Sequence, residues 1–103
     1  MLEWVVRLLK SPVFEEQKRF GGRAVPNNDV FANLIIALDR RGGKMTSMAL
    51  ARAIDYPSVR LQGLLVVVQR VLNVDGYPVI GREEASDTIE LNKDLLLQQF
   101  DLA

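Results

Sequence analysis

The chain has 103 residues, 49% of them hydrophobic, which suffices for one compact core but not for two ordinary domains. Thirteen Lys and Arg balance thirteen Asp and Glu, so no net field draws the molecule toward phosphate, and a polyanion would have to meet a local patch. The absence of Cys and His excludes disulfides, thiolate nucleophiles, imidazole bases and the usual zinc, haem and copper ligands.

Nothing in the sequence indicates a membrane segment or a signal peptide. No apolar run approaches the ~20 residues that span a bilayer. The apolar N-terminal pattern contains Glu3 and Arg7, unlike the core of a signal peptide. The lack of Cys is compatible with the cytosol, and we expect a soluble, cytoplasmic protein with no membrane partner.

Two short helices are predicted ahead of the main domain. Residues 2–10 carry apolar side chains at helical spacing. Ser11 can accept a hydrogen bond from an exposed helical amide and Pro12 fits the first helical position, so a second helix is predicted over about 12–20. Residues 1–27 are therefore interpreted as an N-terminal helical extension.

The middle of the chain has the signals of a helix-turn-helix. The predicted elements are a helix over 29–41, a one-rung strand at 44–45, a helix over 47–54 and a longer helix over 58–72. Asn27 or Asn28 can cap the first of these helices and Thr46 can cap the second. Pro57 opens the third. Two helices joined by a turn of three or four residues form the helix-turn-helix motif.

A β-hairpin is predicted after the longest helix. Residues 74–80 and Thr88–Leu91 are rich in β-branched and aromatic side chains, and the loop 81–87 between them carries Gly, Ser and charge. Asn92 can then cap a last helix. The order helix, strand, helix, helix, hairpin predicts a mainly α fold with a small β-hairpin. We interpret it as a winged helix-turn-helix over 28–103, preceded by one or two N-terminal helices.

The predicted helix 58–72 has an apolar side and a mixed side. Its leucines must face the core. The opposite side holds Val59, Gly63, Val66 and Arg70, flanked by Arg60, Gln62, Val67 and Gln69. An exposed valine does not stabilise the fold, but it contributes to the free energy of binding when a partner buries it. The valines therefore indicate an apolar protein-interaction surface. The candidate protein-interaction residues are Val59, Gly63, Val66 and Val67. The alternative is that Val66 or Val67 lies under the N-terminal helices at 2–20.

A DNA-binding interpretation uses polar residues of the same region. The candidate DNA contacts are Lys44, Arg52, Arg60, Gln62, Gln69 and Arg70. Base edges and phosphates are recognised by such donors, although a solvated helix face explains the charges as well. The hairpin loop opposes this interpretation, because it sets Arg82 against three carboxylates, which repel a phosphate backbone.

No catalytic, cofactor or metal site is predicted. Glu83 and Glu84 are adjacent and would point apart instead of converging on one bond. Asp75 and Tyr77 could be imagined as an acid/base pair, but an Asp before Gly is far more often part of a turn. The two Gly-Gly pairs lack the spacing and the Lys of a phosphate-binding loop.

Two stretches of the chain resemble a known family. Proteins of the PglZ family, from BREX bacteriophage-resistance systems, end in a segment that is similar to GGKMTSMALARAIDYPSVRLQGLLVVVQRVLNVDGYPVI at 42–80 and EASDTIELNKDLLLQQF at 84–100. The likeness covers roughly 28–103 and is most distinctive in LNVDGYPV and QQF. It implies a domain excised from a larger bacterial protein whose alkaline-phosphatase-type, metal-binding core lies upstream, and the Asp and His ligands of that core have no counterparts in this chain. An apolar helix that starts directly after Met1 agrees with an excised piece, and a natural frayed N-terminus is the alternative.

Two functions follow as hypotheses. In the first, the domain is a non-catalytic interaction module that binds other BREX components, the rest of its own protein, or a second copy of itself. In the second, it contacts duplex DNA through the helix at 58–72. The valines of that helix favour the first hypothesis, whereas fold precedent favours the second, because winged helices are most often nucleic-acid binders.

Overall fold

Helices dominate the computed structural model, which describes residues 2–103. The α-helices are α1 (Glu3–Leu9), α2 (Pro12–Gln17), α3 (Asn28–Arg40), α4 (Ser47–Ala53), α5 (Ser58–Leu72) and α6 (Lys93–Gln99). Two 3-10 segments cover Lys18–Ala24 and Val74–Gly76, and the strands are β1 (Lys44–Thr46), β2 (Ile80–Glu83) and β3 (Thr88–Leu91). The predicted mainly α architecture with a small β component is confirmed.

Four of the helices begin at the caps that the sequence predicts. The side-chain oxygens of the four caps accept hydrogen bonds from backbone amides at 3.0 to 3.3 Å: Ser11 from Val13 and Phe14, Asn27 from Val30, Thr46 from Ala49, and Asn92 from Leu95. The first amides of a helix have no partner within the helix, so each cap contributes about 1 kcal/mol. Local chemistry therefore decides where these helices start.

The three strands form one antiparallel sheet in the order β1-β3-β2. Met45 lies opposite Ile89 and Ile80 lies opposite Leu91, and all four side chains are buried on the core side. The outer side is polar: Lys44 lies opposite Glu90, and their charged groups are 3.5 Å apart. This sheet has one buried and one exposed face, as expected for a small antiparallel sheet beside helices.

The hairpin exists, but the predicted position of its first strand is wrong. The strand expected over 74–80 begins only at Ile80, Val74–Gly76 form a 3-10 turn, and 77–79 are irregular. Asp75 and Gly76 both have positive φ, 54° and 79°, which an extended strand does not allow. Val79 is fully buried but serves as a core residue ahead of the strand. Of the β-prone residues in this stretch, Val79 is buried without pairing, Tyr77 is exposed, and only Ile80 pairs with β3.

The N-terminal helices pack into the same core as the rest of the chain. Phe14 of α2 is fully buried and meets the ring of Phe31 edge-on at 5.1 Å and that of Phe100 at 6.3 Å. Val5 and Leu8 of α1 are fully buried as well. The domain boundary near residue 27 stays a prediction, and helices on both sides of it share one hydrophobic cluster. None of the helices described has the length and hydropathy needed to cross a bilayer.

Candidate interaction surface on helix α5

Helix α5 is held to the core by one continuous apolar side. Its buried residues are Leu61, Leu64, Leu65, Val67, Val68, Val71 and Leu72. The helix contacts α2, α4, β2 and the 3-10 segment Lys18–Ala24. Because these elements cover the apolar side of α5, the opposite side of the helix faces solvent.

The remaining side of α5 carries a line of exposed residues that we call the outer stripe: Val59, Gly63, Val66 and Arg70. Val59 is 91% exposed and Val66 is 45% exposed. A Cβ added to Gly63 would have no atom within 4 Å, so the middle of the stripe is open. The spacing of the four residues is that of one helix face, and the stripe is about 16 Å long at 1.5 Å per residue.

Val67 does not belong to this surface, which corrects the sequence prediction. Its side chain is only 8% exposed. A Cβ placed on Gly21 would come within 3.1 Å of Val67 Cγ1, because the 3-10 segment runs directly over it. The alternative that N-terminal residues cover this side of the helix holds for Val67 but not for Val66. The covering residue, Gly21, lies just beyond the range 2–20 that the sequence indicated.

Two contacts fix the N-terminal segment against α5. Gln17 Nε2 donates to the carbonyl oxygen of Val71 at 3.2 Å, near the C-terminal end of the helix. Gly21 is buried, and a Cβ there would lie 2.3 Å from Val25 Cγ2 as well as close to Val67. Only a residue without a side chain permits this approach. The segment thus defines one edge of the exposed surface.

Phe20 is an exposed aromatic residue that the sequence prediction missed. It is 61% exposed and lines a cleft of about 390 Å³ together with Arg70, Asp75 and Gly76. The cleft therefore lies at the Arg70 end of the outer stripe. The available signal was a large apolar side chain directly before Gly21-Gly22, outside any helical stripe. Met48 and Tyr77 are also exposed, at 60% and 54%.

The candidate DNA contacts are divided between two parts of the surface. Arg60, Gln62 and Arg70 are exposed on α5, Gln69 is half-buried, and Arg52 is exposed on α4. Lys44 lies on the outer side of the sheet, 3.5 Å from Glu90. Within residues 2–103, no ion pair involves Arg52, Arg60 or Arg70. Arg60 and Gln62 lie on different flanks of α5, because they are about 200° apart around the helix, and Lys44 lies beside a carboxylate.

The hairpin turn is anionic and tied down by hydrogen bonds. Asp87 accepts from the hydroxyl of Ser47 and from Arg82 Nε, the latter at 2.7 Å, and these donors hold the pKa of Asp87 below its usual value. Glu83 accepts from the hydroxyl and the amide of Ser86 and from the Ala85 amide, which lowers the pKa of Glu83. Both groups are therefore charged at neutral pH and face any approaching polyanion.

Acidic side chains elsewhere do not form a metal centre. No group of three or more potential ligand side chains is close enough to hold a metal ion in the part of the chain that the structure describes. A groove of about 750 Å³ between the sheet and the start of α6 is lined by Asp39, Glu83, Glu90 and Asp94, together with Arg82 and Lys93. Its carboxylates outnumber its cations, but they do not converge.

Fold and surface together define a small helical domain with an exposed apolar helix face. A family model described as "BREX system PglZ C-terminal domain" matches residues 1–101. The chain therefore belongs to the family of PglZ C-terminal domains of BREX systems, which implies a role in phage defence. The family match confirms the resemblance and extends it over the N-terminal helices. No curated protein and no solved structure matches the chain.

Proposed function

We propose that this domain is a non-catalytic winged helix-turn-helix module that binds protein through α5. The chain order α3, β1, α4, α5, β2, β3, with β3 between the other two strands, supports the winged-helix assignment for residues 28–103. The connection between α4 and α5, residues 54–57, has the length typical of a helix-turn-helix. In this proposal, residues 1–27 are a helical extension that completes the core.

The observation that carries the proposal is the exposure of the outer stripe. Val59 and Val66 leave apolar surface in solvent on a helix whose other sides are covered. Burying a valine side chain against a partner contributes about 1.5 kcal/mol, whereas a base edge requires hydrogen-bond donors at these positions. The chemistry of the stripe is thus better matched to protein than to DNA.

The partner is proposed from the family context. PglZ domains belong to BREX systems, so other BREX components and the remainder of the PglZ protein are the first candidates. A second copy of the domain is the third candidate, and the cytoplasm is the proposed location. No membrane partner, cofactor or metal forms part of the proposal.

The test is a binding measurement in which this chain is the bait. A charged residue is introduced into the outer stripe of the bait to disrupt the contact. Purified BREX components and the PglZ remainder, each expressed separately, serve as prey, and light scattering reports self-association. We expect Val66→Glu to abolish binding, because a carboxylate would be buried in an apolar contact. Asn33→Glu, on an exposed position of α3, adds the same charge elsewhere and should bind normally.

Circular dichroism of both variants separates a lost contact from a lost fold. Unchanged binding by a folded Val66→Glu variant would contradict the proposal. A monomeric chain that binds none of these proteins would contradict it too.

A second candidate function, duplex DNA binding, rests on a different observation. Arg60 and Arg70 are exposed on α5 and form no ion pair among residues 2–103, and Gln62 lies between them in the chain. Titration of labelled duplex should then show affinity that falls steeply with added salt, and Arg60→Gln/Arg70→Gln should reduce the slope. Binding weaker than about millimolar at low salt would eliminate DNA binding by the isolated domain.

A further inference from the structure

The charges on α5 all have one sign. Its sequence from Ser58 to Leu72 contains Arg60 and Arg70 but no Asp or Glu. The two arginines lie near opposite ends of the outer stripe, and neither is paired with a carboxylate within the described chain. An apolar line between two free guanidinium groups calls for an occupant that is apolar in the middle and anionic at its margins.

We infer that the outer stripe and the Phe20 cleft receive an amphipathic helix whose apolar seam is flanked by Asp and Glu. The inference rests on the proposed function and adds the chemistry of the partner. Val59, Gly63, Val66 and Arg70 form a row at intervals of three and four on one face of α5, and a docking helix with apolar residues at the same intervals can pack along such a row.

Gly63 gives the stripe the shape that a helix requires. A Cβ there would meet nothing within 4 Å, so the position is a notch between Val59 and Val66. The side-chain ridge of one helix packs into the groove of another, and a missing side chain at the crossing point lets the two axes approach closely. A helix crossing α5 at Gly63 would contact both valines.

The Phe20 cleft supplies an anchor at one end of this surface. Phe20 is 61% exposed and lines the cleft, which Arg70 and Asp75 line as well without forming an ion pair with each other. Aromatic and arginine side chains in a partly enclosed pocket carry a large share of the binding energy at many interfaces. A leucine or methionine of the partner inserted beside Phe20 would bring its neighbouring carboxylates to Arg70.

A second copy of α5 is a poorer occupant than an acidic helix. Packing two copies about Gly63 would bring arginines from both helices to the same margins, with no carboxylate on either α5 to compensate. Like charges at an interface oppose association. The positive charge of Arg60 and Arg70 therefore favours an acidic helix of another protein segment over a second copy of α5.

The experiment uses the same bait and prey as the interaction test. It measures the contribution of the two arginines to binding separately from that of the valines. The variants are Val66→Glu, the double reversal Arg60→Glu/Arg70→Glu and the charge-preserving control Arg60→Lys/Arg70→Lys, each measured with and without nuclease treatment. We expect the double reversal to raise Kd at least about tenfold and the control to change it less than about threefold. The Kd of the native chain should rise with NaCl concentration.

A charge swap tests the identity of the partner segment. Cross-linking to a residue introduced at Gln62 locates the prey segment, which should be helical and carry Asp or Glu beside an apolar row. Replacing two of those carboxylates with Lys should restore binding to the Arg60→Glu/Arg70→Glu bait.

The outcomes separate the two proposals. Loss of binding in both Val66→Glu and the double reversal, with rescue by the swap, supports the acidic helix. Loss in Val66→Glu alone leaves the interaction module standing and overturns the acidic partner. Normal binding by Val66→Glu overturns both, and a signal that nuclease removes assigns the surface to nucleic acid.

Discussion

The side-chain amide of Asn73 bonds to both backbone polar groups of Ile80. Asn73 Nδ2 donates to the carbonyl oxygen of Ile80 at 2.9 Å, and Asn73 Oδ1 accepts from the Ile80 amide at 2.9 Å. Asn73 directly follows the end of α5, and β2 starts at Ile80. The Asn73 side chain therefore bonds to the start of β2 as a neighbouring strand would. This pairing closes the loop 74–79 and fixes where the hairpin begins.

Asn73→Ala should destabilise the domain by about 1–3 kcal/mol, because it leaves two partly buried backbone groups without partners. Asn73→Asp keeps the acceptor but loses the donor, and should also destabilise. Urea unfolding followed by circular dichroism measures the change. Asn33→Ala, at an exposed position of α3, is the matched control and should cost less than about 0.5 kcal/mol. Equal midpoints for Asn73→Ala and the control would refute the structural role.

Gly21→Ala and Gly63→Ala should have opposite effects on stability. A Cβ at Gly21 would lie 2.3 Å from Val25 Cγ2, so the 3-10 segment must shift and the melting temperature should fall. A Cβ at Gly63 meets nothing within 4 Å, and Ala is favoured over Gly inside a helix by up to about 1 kcal/mol. Gly63→Ala should therefore raise the melting temperature while weakening partner binding, because it fills the notch. If it strengthened binding, Gly63 would not be the crossing point.

Two phenylalanines test whether the N-terminal helices belong to the core. Phe14 is fully buried between Phe31 and Phe100, and Phe14→Ala should cost about 3–5 kcal/mol. Phe20 is 61% exposed, so Phe20→Ala should cost less than about 1 kcal/mol. Chemical denaturation of both variants gives the comparison. A small effect of Phe14→Ala would show that residues 1–27 are a separable extension.

The hairpin turn should loosen when the solution is acidified. The pKa of Asp87 is lowered by the Ser47 and Arg82 hydrogen bonds and that of Glu83 by the Ser86 hydrogen bonds, from ordinary values of 3.8 and 4.5. The two carboxylates therefore stabilise the hairpin turn fully above those ordinary values. This stabilisation decreases as pH falls through the lowered pKa of each group. NMR titration of the side-chain carboxyl carbons and amide exchange across the hairpin measure this dependence.

Asp87→Asn is the control for the acid response of the turn. Asp87 has a φ of 52°, a left-handed conformation that Asn also adopts readily, so the backbone should be retained. The variant should show a weaker acid dependence of hairpin exchange than the native chain. A titration midpoint for Asp87 at or above 3.8 would contradict the role of these hydrogen bonds.

Much of the helical structure follows from signals that act within a few residues. Ser11, Asn27, Thr46 and Asn92 cap the helices that the sequence assigns to them, because a cap needs only the next two or three amides. The span of α5, Ser58–Leu72, also agrees with its apolar period. The first hairpin strand was misplaced because Val79 packs into the core without pairing, and because the backbone turns at Asp75 and Gly76, where φ is positive.

The sequence by itself determined that α5 turns a valine-bearing side away from its leucines, since that depends only on the helical repeat. It could not decide which of Val66 and Val67 is covered, although the first lies on that side and the second flanks it. Tertiary structure decided: Gly21 covers Val67, and Gln17, 54 positions before Val71 in the chain, holds the covering segment in place. Burial of one neighbour and exposure of the other depend on contacts between distant segments, which no local pattern records.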